Sequence, residues 1–116
     1  MSVVIYHNPR CSKSRQTLEL LEQNGIQPEI VKYLDTPLSV DQLKALYAQL
    51  GFSSVREMMR TKEEVYKQLN LSDASVSDEQ LFAAMAEHPK LFERPVVVAN
   101  GKARIGRPPE QVLDIV

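Results

Sequence analysis

The stretch PVVVANGKARI, residues 95–105, constrains the fold more than any other part of the chain. Two strand-like runs, residues 95–99 and 102–105, are separated by Asn100 and Gly101 alone. An Asn-Gly pair supplies the positive φ angles that a two-residue hairpin needs at both central positions. The two runs are therefore expected to pair as an antiparallel hairpin. Gly106-Arg107-Pro108-Pro109 then breaks the second strand, and residues 109–116 read as a final helix with Val112, Leu113 and Val116 apolar.

The other end of the chain reads differently. Val3, Val4, Ile5 and Tyr6 form a β-branched and aromatic run, expected to be a buried strand. Asn8-Pro9 marks a turn, and helical character begins near Ser12 to Ser14. Thr17, Leu18 and Leu21 fall at helical spacing before the stop signal Asn24-Gly25. Residues 29–34 (EIVKYL) read as a second strand. A strand-helix-strand unit with the usual right-handed crossover makes its two strands parallel.

The middle is helical in pattern. Ser39 with Gln42, and Ser77 with Gln80, each have the spacing of a capping box. Leu43, Leu46, Tyr47 and Leu50 follow the first box on one face, and Gly51 ends that helix. Residues 55–60 and 63–69 read as two shorter helices. Leu81, Phe82 and Met85 follow the second box, and His88-Pro89 stops it. The order β-α-β, helices, β-β-α is that of an α/β, thioredoxin-like domain. It has a mixed four-stranded sheet and a helical insertion between its two halves. One domain over residues 1–116 is expected, with the insert at approximately 39–90.

The totals agree with one small domain and narrow the function. The chain has 116 residues, of which 43% are hydrophobic and 25% charged. A net charge of -1 argues against a nucleic-acid partner. No apolar run approaches the ~20 residues of a membrane span, and the first residues do not resemble a secretion signal. Cys11 is the sole cysteine. An internal disulfide is therefore impossible, a cytoplasmic setting is expected, and any redox chemistry needs a thiol from another molecule.

Cys11 lies in a turn, HNPRCSKSR, between the first strand and the first helix. The first turn of a helix has backbone N–H groups without internal partners, and its dipole adds positive charge. A thiolate there is stabilised, and its pKa falls below the free value of roughly 8.5. Arg10, Lys13 and Arg15 add charge nearby, and Ser12 and Ser14 can donate hydrogen bonds to the sulfur or to a bound oxyanion. The same place thus activates a nucleophile and binds an anion beside it. The plain alternatives are an inert small cysteine, a His7 whose ring ends the strand in solvent, and a solvated cationic helix face. Ser14 stands three residues after Cys11, which excludes a two-cysteine redox motif. Gln16 stands five residues after it, which counts against a cysteine phosphatase loop. One cysteine and two histidines are too few for a zinc cluster, so no metal is expected.

Three arginines stand at predicted element edges: Arg60 in MMRTKEE, Arg94 before Pro95, and Arg107 in IGRPPE. Guanidinium groups bind tetrahedral oxyanions in bidentate fashion. Each alone is an ordinary surface arginine; three that converged would neutralise a multiply charged anion. Pro95, leading the third strand, would face the Cys11 turn, and its peptide bond is a candidate for the cis form.

With YHNPRCSKSRQTLELL, MMRTKEEVYKQL, HPKLFERPVVV and RPPEQVLDIV in this order, the chain resembles the glutaredoxin-coupled arsenate reductase family. The motifs cover nearly its whole length. The resemblance implies a thioredoxin-like fold, Cys11 as nucleophile and His7 as a residue that tunes the thiol. Arg60, Arg94 and Arg107 would bind the oxyanion, with Ser14 beside them. It implies arsenate or a similar oxyanion as substrate, no bound cofactor, glutathione as co-substrate and glutaredoxin as protein partner of a monomer. Familiar members have Gly-Thr-Ser after the cysteine, where this chain has Ser12-Lys13-Ser14. The alternatives are a non-catalytic interaction protein, resembling a transcription regulator, and a thiol reductase acting on another substrate.

Overall fold

In the computed structural model, residues 3–116 are described. The chain divides into two compact units, one formed by Met1–Thr36 with Arg94–Val116 and the other by Pro37–Glu93.

The first unit is built on a four-stranded sheet. Its elements are β1 (Val3–Tyr6), α1 (Ser12–Gln23), β2 (Glu29–Val31), β3 (Val96–Ala99), β4 (Lys102–Ile105) and a 3-10 segment, Pro109–Asp114. The strand order is β2-β1-β3-β4. Strands β1 and β2 are parallel, as the strand-helix-strand reading requires, with Ile5 opposite Ile30. Strand β3 runs antiparallel to β1, with Ile5 opposite Val97, and β4 antiparallel to β3. Asn100 and Gly101 have φ of 55° and 75°, the two positive values the hairpin needs. This is the mixed sheet of a thioredoxin-like domain.

One core of this unit joins alternate residues of β1 and β3 to α1 and the C-terminal segment. Val3, Ile5, Val97 and Ala99 meet Leu21, Val112 and Ile115. Full burial of one such aliphatic side chain contributes roughly 1.5–3 kcal/mol.

Two elements of the sheet unit differ from the sequence reading. Strand β2 stops at Val31, where residues 29–34 were expected. The amides of Asp35 and Thr36 both donate to the carbonyl of Lys32 at 3.0 Å, so the chain turns before the strand can continue. The C-terminal helix is a 3-10 helix. Three residues per turn place Pro109, Val112 and Ile115 on one side, and all three are buried.

The second unit contains α2 (Val40–Leu50), α3 (Glu64–Gln68) and α4 (Asp78–Glu87), with 3-10 turns at Val55–Met58 and Pro89–Leu91. The capping boxes at Ser39–Gln42 and Ser77–Gln80 are both formed, and Ser54 with Glu57 makes a third. Helix α2 ends on Gly51 in the left-handed conformation, at φ 71°. Helices α2 and α4 meet through Tyr47 against Phe82, ring centres 5.8 Å apart, and through Lys44 with Glu79 at 2.6 Å. The helix expected at residues 55–60 is a single 3-10 turn. Met59 leaves it in an extended conformation and bridges Phe92, and the neighbouring amides close the pairing: Arg60 N–H to Leu91 O at 2.7 Å, Glu93 N–H to Met58 O at 2.9 Å. Among the described residues no helix is long and apolar enough to cross a membrane.

Candidate active site

The Cys11 turn is held by backbone and side-chain bonds on every side. The His7 amide donates to Val31 O at 2.8 Å, which anchors the end of β1 to β2. The Cys11 amide donates to Asn8 O at 3.0 Å, and the Arg10 amide to Asn8 Oδ1 at 3.0 Å. Cys11 is the N-cap of α1, extended at φ −94° and ψ 125°, and its carbonyl accepts from the Arg15 amide at 3.0 Å. No side-chain hydrogen bond of the ordinary kind caps this helix. Sulfur occupies the place where Ser, Thr, Asn or Asp usually stands.

Burial pushes the Cys11 thiol up, but the opposing influences prevail and its pKa lies below the ordinary 9.0. The Ser14 amide, the Arg94 charge, the Lys13 amide and the Arg107 charge all favour the thiolate, in that order. Arg107 is in direct reach: its Nη2 lies 3.7 Å from Cys11 Sγ, and its Nε donates to Arg94 O at 2.8 Å. That bond ties the two arginine-bearing segments together beside the sulfur. The Arg94–Pro95 bond is cis, as is Arg107–Pro108.

His7 and Ser14 lie behind the thiol. His7 is buried, so its ring does not end the strand in solvent. Its Nδ1 is 2.6 Å from Ser14 Oγ, and the Asn8 amide donates to the same oxygen at 3.0 Å. Burial, then Lys32 and Arg15, hold the His7 pKa below 6.5, so the imidazole is neutral near pH 7. His7 Nδ1 and Ser14 Oγ thus share one hydrogen bond, whose direction follows the imidazole tautomer. Ser14 was expected to donate its hydroxyl to the oxyanion. The structure buries that side chain fully and commits its oxygen to His7 and Asn8. Its influence on Cys11 comes through its amide. His7 and Ser14 are therefore positioning residues, locking the turn to the first turn of α1.

Arg60 belongs to the helical unit, where Glu63 holds its guanidinium in an ion pair. All the groups that favour the Cys11 thiolate belong to the sheet unit. Among the described residues, no three His, Cys, Asp or Glu side chains gather as a metal site.

Sequence reasoning missed the support under the site. Gly106 packs so tightly that an added Cβ would lie 2.5 Å from Thr17 Oγ1 and 2.9 Å from Pro95 Cγ. Thr17 is fully buried and donates to Lys13 O at 2.8 Å. The close approach fixes the β4 exit, the Pro95 ring and the first turns of α1 together. The only trace in the sequence was a glycine directly before Arg107. Also missed was a cleft of about 310 Å³ on the Cys11 turn, where Arg10, Lys32 and Asp35 line the rim.

A nucleophilic thiolate beside guanidinium groups is chemistry for attack on a bound oxyanion. Comparison with known proteins agrees with that geometry. A protein of Escherichia coli K12 named uncharacterized protein YfgD is 64% identical over 114 residues, covering 98% of this chain and 96% of its own. An arsenate reductase of Haemophilus influenzae is 56% identical over 115 residues, covering 99% of each chain. The solved structure of an arsenate reductase from Vibrio cholerae matches with a TM-score of 0.99 and 69% identity, over 100% of this chain and 98% of that one. The ArsC family profile matches residues 6–115, and this chain belongs to the ArsC family.

Proposed function

We propose that this protein reduces arsenate to arsenite, with Cys11 as the nucleophile and external thiols as the electron source. The observation that carries the reading is the Cys11 sulfur, 3.7 Å from Arg107 Nη2, in a chain with no other cysteine. The names of the similar proteins support the same substrate.

In this reading Arg94 and Arg107 neutralise the bound oxyanion. The thiolate attacks arsenic; an arsenic–oxygen bond breaks and the oxygen leaves as water after taking up protons. A Cys11–arsenic adduct results. Glutathione displaces a second oxygen, which leaves as water, and its sulfur bonds to arsenic; a glutaredoxin thiol then attacks that sulfur, and the arsenic–sulfur bond breaks with its electron pair left on arsenic. The two external thiols leave as a disulfide, and their two electrons convert arsenic(V) to arsenic(III). Arsenite is released when water displaces Cys11. The protein supplies positioning, charge and a low-pKa sulfur, and a monomer in a reducing cytoplasm suffices.

A non-catalytic interaction protein would not need an activated sulfur placed against a guanidinium. A thiol reductase with another substrate would share the sulfur chemistry, and competition by oxyanions separates it from an arsenate enzyme. The test is arsenite production from arsenate with glutathione and glutaredoxin supplied. Wild type is expected to turn over and Cys11→Ser to be inert. No arsenite from wild type, under conditions where a known reductase works, would overturn the assignment.

A further inference from the structure

The proposed chemistry requires a thiol that the chain lacks, so that thiol has to dock somewhere near Cys11. The cleft of about 310 Å³ on the Cys11 turn has a composition that suits one class of ligand. Its walls come from His7, Asn8 and Arg10 on one side and Lys32, Leu34 and Asp35 on the other. Both walls have fixed main chains. Asn8 Oδ1 holds the Arg10 amide at 3.0 Å, and Lys32 O accepts the amides of Asp35 and Thr36 at 3.0 Å. Arg10, Lys32 and Asp35 are exposed, and none forms an ion pair among the described residues. Leu34, 37% exposed, adds an apolar patch.

Two cations and one carboxylate around an apolar patch complement two carboxylates and one ammonium on a short chain. We propose that this cleft is the docking site of the external thiol, and that the ligand is a small dicarboxylate peptide thiol of the glutathione type. The volume lies at the lower end of small-molecule sites, roughly 300–1,000 Å³. Reach is no obstacle. Cys11 itself does not line the cleft but follows Arg10 directly in the chain, and an extended tripeptide spans ~10 Å. A second groove, about 390 Å³, sets Glu19 and Glu110 against Lys13 and would repel a dicarboxylate. The proposal rests on the thiol-dependent reading above, and the following test separates the two.

The full-length protein is treated, without arsenate, with glutathione disulfide or with the uncharged 2-hydroxyethyl disulfide. In each reaction the Cys11 thiolate attacks one sulfur, the S–S bond breaks, a mixed disulfide forms and one thiolate leaves. Mass spectrometry gives the two rates. Wild type is expected to favour glutathione disulfide. In Arg10→Glu/Lys32→Glu that preference should fall roughly tenfold, while the rate with the uncharged disulfide stays within about twofold. Arg10→Gln/Lys32→Gln should fall part of the way, and it serves if the reversed pair fails to fold. Lys102→Glu makes a charge reversal on an exposed residue at the hairpin end of β4, outside the cleft, and should leave the preference nearly intact. An equal fall in Lys102→Glu, or no fall in either double variant, overturns the cleft. If the preference behaves as expected but wild type makes no arsenite, the arsenate reading fails and the cleft stands. If arsenite forms but the preference ignores Arg10 and Lys32, the cleft alone fails.

Discussion

Helices α2 and α4 of the helical unit and α1 of the sheet unit begin in opposite ways. The first two start on serines whose hydroxyls accept from the Gln42 and Gln80 amides, with each glutamine side chain reaching back to the serine amide. Helix α1 starts on Cys11, with no such bond. The capped helices spend their first amides on their own stability. Helix α1 leaves the amides of Lys13 and Ser14 to the Cys11 sulfur, where they favour the thiolate. An ordinary cap is worth ~1 kcal/mol, so α1 forgoes stability at the place where the proposed chemistry uses positive potential.

The sharpest way to break this contrast is Cys11→Ser, which restores an ordinary cap. Arsenite formation should fall at least about a thousandfold, since the nucleophile is gone. Stability in urea unfolding should rise by up to about 1 kcal/mol, because serine caps better than cysteine. A clear loss of stability would show that the sulfur already serves as a full cap.

Arg107→Ala removes a guanidinium that lies 3.7 Å from the sulfur. Arsenate binding should weaken about tenfold, and the thiol pKa, read from thiolate absorbance, should rise toward its ordinary value. Gly106→Ala tests the packing under the site. With an added Cβ 2.5 Å from Thr17 Oγ1, unfolding free energy should drop by about 1–3 kcal/mol. Ser77→Ala is the matched change in the other unit. It should cost ~1 kcal/mol and leave the rate of Cys11 alkylation at pH 7 unchanged.

The smallest effect is a pH dependence. His7 has a depressed pKa, so the folded state binds fewer protons than the unfolded one. The stability from its neutral, buried form is present in full above 6.5 and is lost as pH falls from there through the lower folded value. Wild type should therefore lose more stability than His7→Gln between neutral pH and about pH 5. Equal losses would mean that the ring is not held neutral by its surroundings.

The capping boxes at Ser39 and Ser77, the stop at Gly51 and the Asn100-Gly101 turn were legible because each depends on residues within four positions of one another. So was Cys11 as a helix-start thiol, since strand, turn and helix follow directly along the chain. Failures came where packing chose between local options. Residues 109–116 carry an apolar pattern that suits an α-helix, but burial of Pro109, Val112 and Ile115 on one side selects the tighter winding. Residues 29–34 read as one strand, but the turn onto Lys32 O ends it early.

By itself, then, the sequence determined the elements, their order and a lone thiol at the start of a helix, because local propensity and capping act over a few residues. Only the tertiary structure brought Arg107 to the sulfur from 96 residues away, and Arg94 with it. That meeting depends on β3 pairing with β1 and on Gly106 fitting under Thr17 and Pro95. Tertiary structure also turned Ser14 inward to His7, where burial and two hydrogen bonds outweighed a place at the anion. Such contacts follow from the closing of the sheet, and no local signal encodes them.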